Sequence, residues 1–550
     1  MKKYKLFLFS SILALSTMGL YSFTQTDKYF EIAKNLDIFA TLFKEVNTYY
    51  VDEINPNKFM KDGIDAMLEN LDPYTNYIPE DEIEDYRTHM TGQYGGIGAV
   101  IGNRNDRAII LMPYEGFPAH KGGLMIGDEI VQVDGVDSKG KNTTDISKLL
   151  KGQAGTQVKI TVKRFGVPDK FDLLLTREKI KIENIPYYGM INDKTGYIKL
   201  SEFTNNASKD VKNALETLKV KGAKSIVFDL RDNPGGLLNE AINISNIFIQ
   251  KDKPIVSTKG KTSEWNKIYY ATSSPADIEI PIVMLTSSRS ASASEIVSGV
   301  IQDYDRGVIV GQRSYGKGLV QATRPLSYNS QLKITTAKYY TPSGRCIQAI
   351  DYTHRNEDGS AGKIPDSLRT AFKTKNGRVV YDGGGITPDI AVEKKPIAPI
   401  ISSLYSKNLL FDYATLYVST NKTIKPAKEY VFTDADYAVF IKWLSDKEYD
   451  YKTKVEGTLD ELVKTAKTEK YYDGIKDQIE ALRKQVSHNK ENDLSTFKED
   501  IKEMLEEEII SRYYLQKGII EASFDDDEDI QAALKVLDNP TEYSKILSGK

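Results

Sequence analysis

Between residues 196 and 311 the chain alternates short, continuously apolar runs with amphipathic stretches of helical period. In chain order the pattern predicts strand Gly196–Leu200, helix Ser208–Val220, strand Ser225–Leu230, helix Leu237–Ile249, strand Pro281–Thr286, helix Ser294–Tyr304 and strand Val308–Gly311. Continuously apolar strands separated by helices are typical of βαβ units, in which helices cover both faces of a largely parallel sheet. The sequence therefore predicts an α/β core whose functional groups lie beyond the C-terminal ends of the strands.

The first block at a predicted strand end is DLRDNPGG, residues Asp229–Gly236. Pro234 and two glycines at the start of a helix can leave backbone N–H groups exposed, and such groups can stabilise an oxyanion. Loss of one oxyanion donor in an enzyme costs about 2.7–4 kcal/mol. An ordinary turn between a strand and a helix has the same composition, so this block alone leaves both interpretations open.

The second block is SRSASASEI, residues Ser288–Ile296. Ser292 and Glu295 have the spacing of a helix capping box, in which the serine satisfies an otherwise unpaired N–H group. A serine between a buried strand and a helix is also a suitable nucleophile, because the helix dipole and the free amides favour developing negative charge. On this block alone, cap and nucleophile both stay open.

A serine nucleophile needs a base, and the four histidines lie outside the predicted strand ends: His89, His120, His354 and His488. The segment YGKGLVQ instead offers Lys317, followed four residues later by Gln321, so that the two side chains share one face. A lysine acts as a base near neutral pH only if burial lowers its pKa from about 10.4. The alternative is a solvated surface lysine.

Residues 92–177 combine short β segments with glycine-rich turns. The loop Gly95-Gly96-Ile97-Gly98 precedes an apolar strand, and GLMIGDEIVQVDG follows at residues 123–135. This layout closely resembles a PDZ domain. In that family the backbone N–H groups of such a loop, here those of Gly95, Gly96, Ile97 and Gly98, receive the terminal carboxylate of a peptide, and the neighbouring strand edge accepts the extended chain. The resemblance implies polypeptide partners bound through their C-termini.

The N-terminus has the layout of an export signal. Three lysines within the first five residues precede an uncharged, mostly apolar stretch from Leu6 to Tyr21. This length is closer to the apolar region of a signal peptide than to a membrane span. We therefore predict an exported protein of the periplasm or cell envelope of a bacterium, with an uncleaved N-terminal membrane tether as the alternative.

Taken together, the motifs resemble the carboxyl-terminal processing peptidases, also called tail-specific proteases. SASASEIVSG resembles the nucleophile motif of that family, which implies that Ser292 is the catalytic serine. GKGLVQ resembles its base motif, which implies a Ser–Lys dyad with Lys317 as the base, assisted by Gln321. DLRDNPGG resembles the segment of the oxyanion hole, so that Gly235 or Gly236 would join the amide of Ala293.

The resemblance also implies a fold and a reaction. The core would be an α/β fold like those of crotonase and Clp peptidase, with an inserted, mainly β PDZ domain. The reaction would be serine acyl transfer without a metal or organic cofactor, cleaving polypeptides near their C-termini. The PDZ domain would recognise the substrate's C-terminus and could gate the site.

The sequence predicts five regions: a signal peptide or anchor (1–26), an N-terminal helical region (27–91), the PDZ domain (92–177), the α/β serine peptidase core (178–393) and a C-terminal helical accessory domain (394–550). In the last region, Thr458 and Thr496 each precede a glutamate by three residues and predict helix starts. The acidic run Asp525–Asp529 precedes a predicted helix, Ile530–Leu537, and such a run is usually a solvated face. This region could form a homodimer, shield the site or hold an adaptor protein.

Two other functions stay open beside a tail-degrading peptidase. One is a catalytically idle PDZ scaffold or adaptor of the cell envelope, and the other is a peptidase that makes a single signalling cut. A formal net charge of −3 over 550 residues provides no basic field, which argues against a nucleic-acid binder. The single cysteine, Cys346, excludes an internal disulfide framework.

Overall fold

The computed structural model describes residues 28–356 and 358–549, which divide into two compact units. Of the described residues, one unit contains those up to Pro79 together with Thr323–Ile334, and the other contains those of Glu80–Ala322 and Thr335–Lys550. The predicted export signal, residues 1–26, lies outside the described residues. Within the described part of the chain, no helix combines the length and the apolar character needed to cross a bilayer.

The first unit contains two helices, which confirms the helical character predicted for the N-terminal region. Residues 28–49 form α1 and Pro56–Glu69 form α2; strand β1, Asn76–Ile78, pairs antiparallel with residues 331–333. Asn55 caps α2 by accepting a hydrogen bond from the Lys58 N–H at 3.1 Å, and Pro56 occupies the first helical position. The Phe43 and Phe59 rings stack at 5.7 Å between α1 and α2.

The PDZ region opens the second unit with a small β-sheet and three short helices. Its elements are α3 Ile83–Thr91, β2 Gln93–Gly96, β3 Ala99–Arg104, β4 Arg107–Pro113, α4 Pro118–Lys121, β5 Glu129–Val133, β6 Val136–Asp137, α5 Thr143–Leu150, β7 Gln157–Lys163, β8 Phe171–Thr176 and β9 Glu178–Lys181, after a 3₁₀ turn at Glu80–Glu82. The sheet order is β3-β4-β5-β7-β8, with β6 on β5, while β2 pairs with β9. Its core includes Ile110, Ile130, Ile160 and Val162, all fully buried.

The α/β core follows, and the seven elements predicted between residues 196 and 311 begin and end within one residue of their predicted bounds. Its elements are β10 Tyr187–Met190, β11 Thr195–Lys199, α6 Ala207–Val220, β12 Ser225–Asp229, α7 Leu238–Phe248, β13 Pro254–Gly260, β14 Lys267–Tyr270, β15 Ile282–Thr286, α8 Ala293–Asp303, β16 Val308–Gly311, β17 Leu319–Pro325, β18 Gln331–Tyr340, β19 Ile350–Arg355, β20 Ala361–Lys363, β21 Ala371–Lys373, β22 Val379–Tyr381 and β23 Ile390–Ala391, with 3₁₀ turns at Ser263–Trp265 and Asp366–Leu368.

The central sheet has the order β10-β11-β12-β15-β16-β23. Only β10 is antiparallel to its neighbour, and the remaining pairs are parallel. This arrangement confirms the predicted α/β class. Since β12, β15 and β16 are adjacent and parallel, the loops after them lie at one edge of the sheet.

The C-terminal region is helical, as predicted. Its helices are α9 Pro399–Ser406, α10 Leu409–Thr420, α11 Asp434–Leu444, α12 Lys454–Thr468, α13 Tyr472–Glu491, α14 Asp493–Thr496, α15 Lys498–Ala522, α16 Glu528–Leu537 and α17 Pro540–Ser548, with a 3₁₀ turn at Ala427–Glu429. Two predicted helix starts were wrong. Helix α12 is capped by Thr453 with Glu456, so that Thr458 lies inside it, and Thr496 ends α14 instead of capping α15.

The last two helices of this region pack on the central sheet. Helices α6, α7 and α8 cover one sheet face, and Ile530, Ala533 and Val536 of α16 pack against Val283, Leu285, Val308 and Val310 on the other. The second sheet face, which the βαβ pattern requires to be buried, is therefore covered by the end of the chain. Helices α16 and α17, which were predicted to belong to a C-terminal accessory domain, are therefore a layer of the α/β core.

The PDZ domain also packs on the C-terminal helices. Phe411 of α10 lies against Ile109 and Ile126 of the PDZ domain, and all three are buried. The guanidinium groups of Arg104 and Arg512 lie 3.9 and 4.4 Å from the centroid of the Phe411 ring. The C-terminal region thus contacts both the PDZ domain and the α/β core.

Candidate active site

The predicted site residues follow three neighbouring strands. The block 229–236 follows β12, Ser292 lies in the loop between β15 and α8, and Lys317 lies in the segment after β16. These strands are adjacent in the sheet, with Asp229 opposite Leu285 and Thr286 opposite Gly311. The sheet therefore brings the three segments to one edge, where the βαβ pattern predicted the functional groups.

Ser292 immediately precedes α8 and has an unusual backbone conformation. Its φ of 54° and ψ of −111° lie in a region that L-residues rarely adopt and that costs on the order of 1–3 kcal/mol. Neighbouring groups hold this conformation. The Ala291 N–H donates to the Asn233 carbonyl at 3.0 Å, and the hydroxyl of the buried Tyr339 donates to the Ser292 carbonyl at 3.1 Å. The serine is only half-buried, as an accessible nucleophile must be.

Glu295 joins the loop of Ser292 to the segment of Lys317. Its Oε2 accepts hydrogen bonds from the Ser292 N–H at 2.8 Å and from the Lys317 N–H at 2.9 Å. Its Oε1 accepts from the Ser314 hydroxyl at 2.5 Å and from the Gly316 N–H at 2.7 Å. Burial raises the pKa of this fully buried carboxyl, and the four donors oppose that rise. The bond to the Ser292 N–H is the glutamate's part of the predicted capping box, but the capping-box motif did not predict the link to Lys317.

Lys317 lies between two glycines that allow close packing. A Cβ at Gly316 would be 2.3 Å from the Ala349 Cβ, and one at Gly318 would be 2.8 Å from the Gln348 N. The lysine itself is half-buried. Gln321 lies four residues farther, in β17, and its Nε2 donates to the Thr335 hydroxyl of β18 at 3.1 Å. The segment 316–321 is therefore anchored on both sides of the lysine.

The glycine turn after β12 lies beside the start of α8. Gly235 has a φ of +104°, and a Cβ there would be 2.7 Å from the Ala291 carbonyl oxygen and 2.9 Å from the Ala293 N. The Gly235 N–H donates to Asn233 Oδ1 at 2.9 Å. Within residues 28–356 and 358–549, the N–H groups of Gly236 and Ala293 have no acceptor. The missing side chain at Gly235 thus leaves space beside the Ala293 amide.

A buried charge network anchors the start of the same turn, and sequence reasoning missed it. Asp229 is fully buried and accepts from the Tyr197 hydroxyl at 2.6 Å and from the Arg231 side chain at 2.8 Å. Burial by itself would raise the pKa of Asp229, but Lys199 and Arg231 outweigh it and hold this pKa below its ordinary value. Arg231 also binds Asp527 and Asp529, which belong to the acidic run predicted to be a solvated face.

The predicted PDZ loop lies at the start of its sheet. Gly95 and Gly96 end β2, and the buried Ile97 and Gly98 lead into β3. Gly98 has a φ of +74°, and a Cβ there would be 2.7 Å from the Phe117 Cβ, so this position requires glycine. Among the described residues, the Ile97 and Gly98 N–H groups have no acceptor. Their availability fits the predicted carboxylate loop.

The histidines lie on elements other than the three strand-end segments. His89 lies in α3, His120 in α4, His354 in β19 and His488 in α13. In the PDZ region, His120 Nδ1 accepts from the Gly116 N–H at 3.2 Å, and His354 is an exposed partner of Asp351. In the part of the chain that the structure describes, no group of three or more His, Cys, Asp or Glu residues is placed to hold a metal ion.

Comparison with known families agrees with this architecture. The model of Peptidase family S41 matches residues 194–355, that of a PDZ domain matches residues 109–164, and that described as "Probable PDZ-protease, C-terminal helical domain" matches residues 400–537. Among solved structures, the photosystem II D1 C-terminal processing protease is 27% identical, with 64% of this chain and 92% of that chain covered and a TM-score of 0.36.

Two curated bacterial relatives show the same similarity. The "Probable CtpA-like serine protease" of Staphylococcus aureus is 36% identical over 316 residues, which cover 57% of this chain and 62% of that protein. The carboxy-terminal-processing protease of Bartonella bacilliformis is 37% identical over 327 residues, which cover 58% of this chain and 74% of that protein. The chain therefore belongs to peptidase family S41, as a serine peptidase of the carboxy-terminal-processing type with a PDZ domain and a C-terminal helical domain.

Proposed function

We propose that the protein is an exported endopeptidase that cleaves polypeptides near their C-termini with a Ser292–Lys317 dyad. The observation that carries this proposal is the carboxylate of Glu295, which accepts the backbone N–H groups of both Ser292 and Lys317. One buried group thus holds the serine-bearing loop and the lysine-bearing segment together. A serine and a lysine on segments joined in this way can act as a nucleophile and its base when their side chains come within hydrogen-bond reach.

The reaction begins when neutral Lys317 takes the proton of the Ser292 hydroxyl. The serine oxygen then attacks the carbonyl carbon of the scissile peptide bond, and the carbonyl oxygen becomes an oxyanion. Collapse of this intermediate breaks the C–N bond, and Lys317 returns the proton to the leaving amine. Water then attacks the acyl-enzyme by the same route, releases the new carboxylate and restores the serine. Gln321, anchored on Thr335, keeps the lysine segment in position.

The oxyanion is held by backbone N–H groups. Ala293 supplies one at the start of α8, where the helix dipole adds to the stabilisation. Gly236 supplies the second, because the Gly235 N–H already donates to Asn233. Gly235 keeps the space beside the Ala293 amide open, since a Cβ would occupy it.

The PDZ loop selects the substrate. The N–H groups of Ile97 and Gly98 bind the terminal carboxylate, and Gly95 and Gly96 shape the approach to them. An extended C-terminal segment would then add to the edge of the PDZ sheet. Such a site recognises a free C-terminus and the few residues before it.

Cleavage of a matched pair of substrates tests this function. A soluble protein with an apolar C-terminal tail and the same protein without it are incubated with wild-type enzyme, with Ser292→Ala and with Ser288→Ala. We expect cleavage of the tailed substrate by wild type and by Ser288→Ala, in which an exposed serine of the same motif is changed. Cleavage by Ser292→Ala would contradict the proposal, and tail binding without cleavage by wild type would favour the scaffold function.

Export is tested separately. The full chain, produced with its own N-terminus, is expected in the periplasmic or envelope fraction of a bacterial host, and a variant that lacks residues 1–26 is expected in the cytoplasm. An equal distribution of the two forms would contradict export by this segment. A membrane-bound form released only by detergent would favour the N-terminal anchor.

A further inference from the structure

The acidic segment before α16 binds the active-site turn through Arg231. The two N–H groups of Arg231 Nη1 are shared among three oxygens: Asp527 Oδ1 at 2.8 Å, Asp527 Oδ2 at 2.7 Å and Asp529 Oδ2 at 2.9 Å. Asp527 also caps α16 by accepting from the N–H groups of Asp529 and Ile530. The start of this helix is thereby fixed on a residue of the loop after β12.

The other side of the Arg231 guanidinium binds the strand from which the turn departs. Its Nε and Nη2 donate to the Asp229 carboxylate at 3.1 and 2.8 Å. A planar guanidinium with carboxylates on two sides has little freedom to rotate. The side chain is only 15% exposed, so solvent screens these ion pairs weakly. Arg231 is therefore held between β12 and α16.

The main chain of Arg231 leads directly into the glycine turn. Its N–H donates to Asp229 Oδ1 at 2.7 Å, and its carbonyl accepts from Lys199 Nζ at 2.9 Å. Four residues later comes Gly235, beside the Ala293 amide. The N-terminal end of α16 also lies at this edge of the sheet. Asp529, in its first turn, has its Oδ1 3.4 Å from where a Cβ would lie on Gly311, the last residue of β16. A change in the position of the Arg231 side chain would thus shift the backbone that presents Gly236.

The ion pairs fix the start of α16, but apolar packing also attaches this helix to the core. Ile530, Ala533 and Val536 are buried against the apolar face of the sheet, and this packing supplies the adhesion of the helix. The two residues before Asp527, Asp525 and Asp526, are exposed and have no ion pair among the described residues. The charges at 527 and 529 therefore have a role that the packing does not require.

We propose that Asp527 and Asp529 are positioning residues of the peptidase: through Arg231 they hold the turn 229–236 so that its backbone meets the oxyanion. The proposal rests on the proposed Ser292–Lys317 mechanism. It assigns to the last helices of the chain a part in catalysis beyond the covering of the sheet. The active site would then be complete only when the C-terminal end of the chain is docked.

The test is a double variant of the full chain, Asp527→Asn with Asp529→Asn, measured beside Asp525→Asn with Asp526→Asn. Both pairs remove two charges from one acidic run, and asparagine at 527 still caps a helix well. We expect kcat for the tailed substrate to fall about 10- to 100-fold in the first pair, because a small misplacement of a catalytic donor has an effect of this order. KM should change less than about twofold, and the control pair should match wild type.

Two further readouts separate positioning from folding. The rate at which a fluorophosphonate probe labels Ser292 should fall with kcat, since the adduct also places an oxygen in the oxyanion hole. Assays are run well below the melting temperature of each variant, and Asp529→Asn alone serves if the double variant does not fold. An unchanged kcat and labelling rate in a folded variant would overturn the inference, and so would an equal loss in the control pair. If wild type does not cleave, or Ser292→Ala still does, the proposed function has failed instead.

Discussion

The loop of Ser292 and the turn of Gly235 lie at the same edge of one sheet, but they are held by different means. The serine loop is held by hydrogen bonds to Glu295, which lies three residues away and belongs to the same motif; we call these bonds the local brace. The glycine turn is held through Arg231 by ion pairs to Asp527 and Asp529, almost three hundred residues later in the chain; we call these ion pairs the remote brace. The bond from the Ser292 N–H to Glu295 forms with its helix, whereas the remote brace requires that the end of the chain be docked.

Under the proposed mechanism, the active site therefore depends on parts of the chain that are far apart in sequence. A local brace adds little loop-closure entropy, because its partners are already neighbours. A remote brace is formed only after long-range packing, and it is therefore more easily lost. We expect changes near Ser292 to abolish cleavage and changes at the remote brace to weaken it.

The largest effect is expected for Glu295→Ala, which breaks the local brace. Four donors in a buried site would lose their acceptor, and each buried donor left without a partner costs about 1–3 kcal/mol. We expect cleavage to fall by about 10³-fold or more, because both reacting segments lose their shared anchor. The measurement is kcat together with the melting temperature.

A matched control for that change is Glu240→Ala. Glu240 also binds backbone N–H groups, those of Asn206 and Ser208 at the start of α6, but it does not join the reacting segments. Its loss should lower stability and leave kcat near that of wild type. Wild-type cleavage by Glu295→Ala would show that the brace has no part in the reaction.

Gly235→Ala is expected to have the next largest effect, because it disturbs the glycine turn. The Cβ would lie 2.9 Å from the Ala293 N, in the space proposed for the oxyanion. We expect kcat to fall about 10²- to 10³-fold, as when one oxyanion donor is removed. Gly222→Ala provides the control, because its φ of +101° is nearly the same and nothing lies within 4 Å of the added carbon. Equal kcat losses in the two variants would mean that backbone strain alone explains the result.

Phe411→Ala tests a second contact of the C-terminal helices, the packing of α10 against the PDZ domain. Removal of a buried phenylalanine costs about 3–5 kcal/mol, and here it also removes the ring between Arg104 and Arg512. We expect a lower unfolding midpoint and faster proteolysis within residues 92–177, with an effect on kcat below about tenfold. The exposed Phe165 provides the control: if Phe165→Ala destabilises the chain equally, the packing at Phe411 is not what holds the PDZ domain.

The smallest effect is expected for Arg289→Ala. Arg289 binds Asp232 on the glycine turn at 2.9 Å, but its side chain is 74% exposed. Exposed ion pairs contribute about 0–1 kcal/mol, so cleavage should change less than about twofold. A loss as large as that of Asp527→Asn with Asp529→Asn would mean that any contact to the turn matters, and that the buried Arg231 network has no special part.

Much of the α/β core could be predicted, because its strands are short apolar runs bounded by polar residues. The strand Val308–Gly311 has the predicted bounds, and α8 begins one residue before its predicted start. Local patterns also indicated Ser292 and Lys317 as candidates. Both residues lie in segments that follow strands, and the ends of those strands could be predicted from the spacing of the apolar residues.

The remote contacts could not be predicted in this way. The amphipathic pattern of α16 shows that one face is buried but not against which surface, so the docking of Asp527 on Arg231 left no local signal. The same limit applies to caps. Thr458 has the capping spacing, yet Thr453 with Glu456 takes that role, because tertiary packing decides which of two similar sequences begins the helix.

The most direct test of the central claim is the site of covalent labelling by a fluorophosphonate probe, mapped by mass spectrometry. Wild type and Lys317→Ala are compared, each checked for folding by its melting temperature. If Ser292 is the nucleophile and Lys317 its base, the adduct forms on Ser292 in wild type and is lost in folded Lys317→Ala. Labelling of Ser292 at the wild-type rate in Lys317→Ala, or an adduct on another serine, would contradict the dyad.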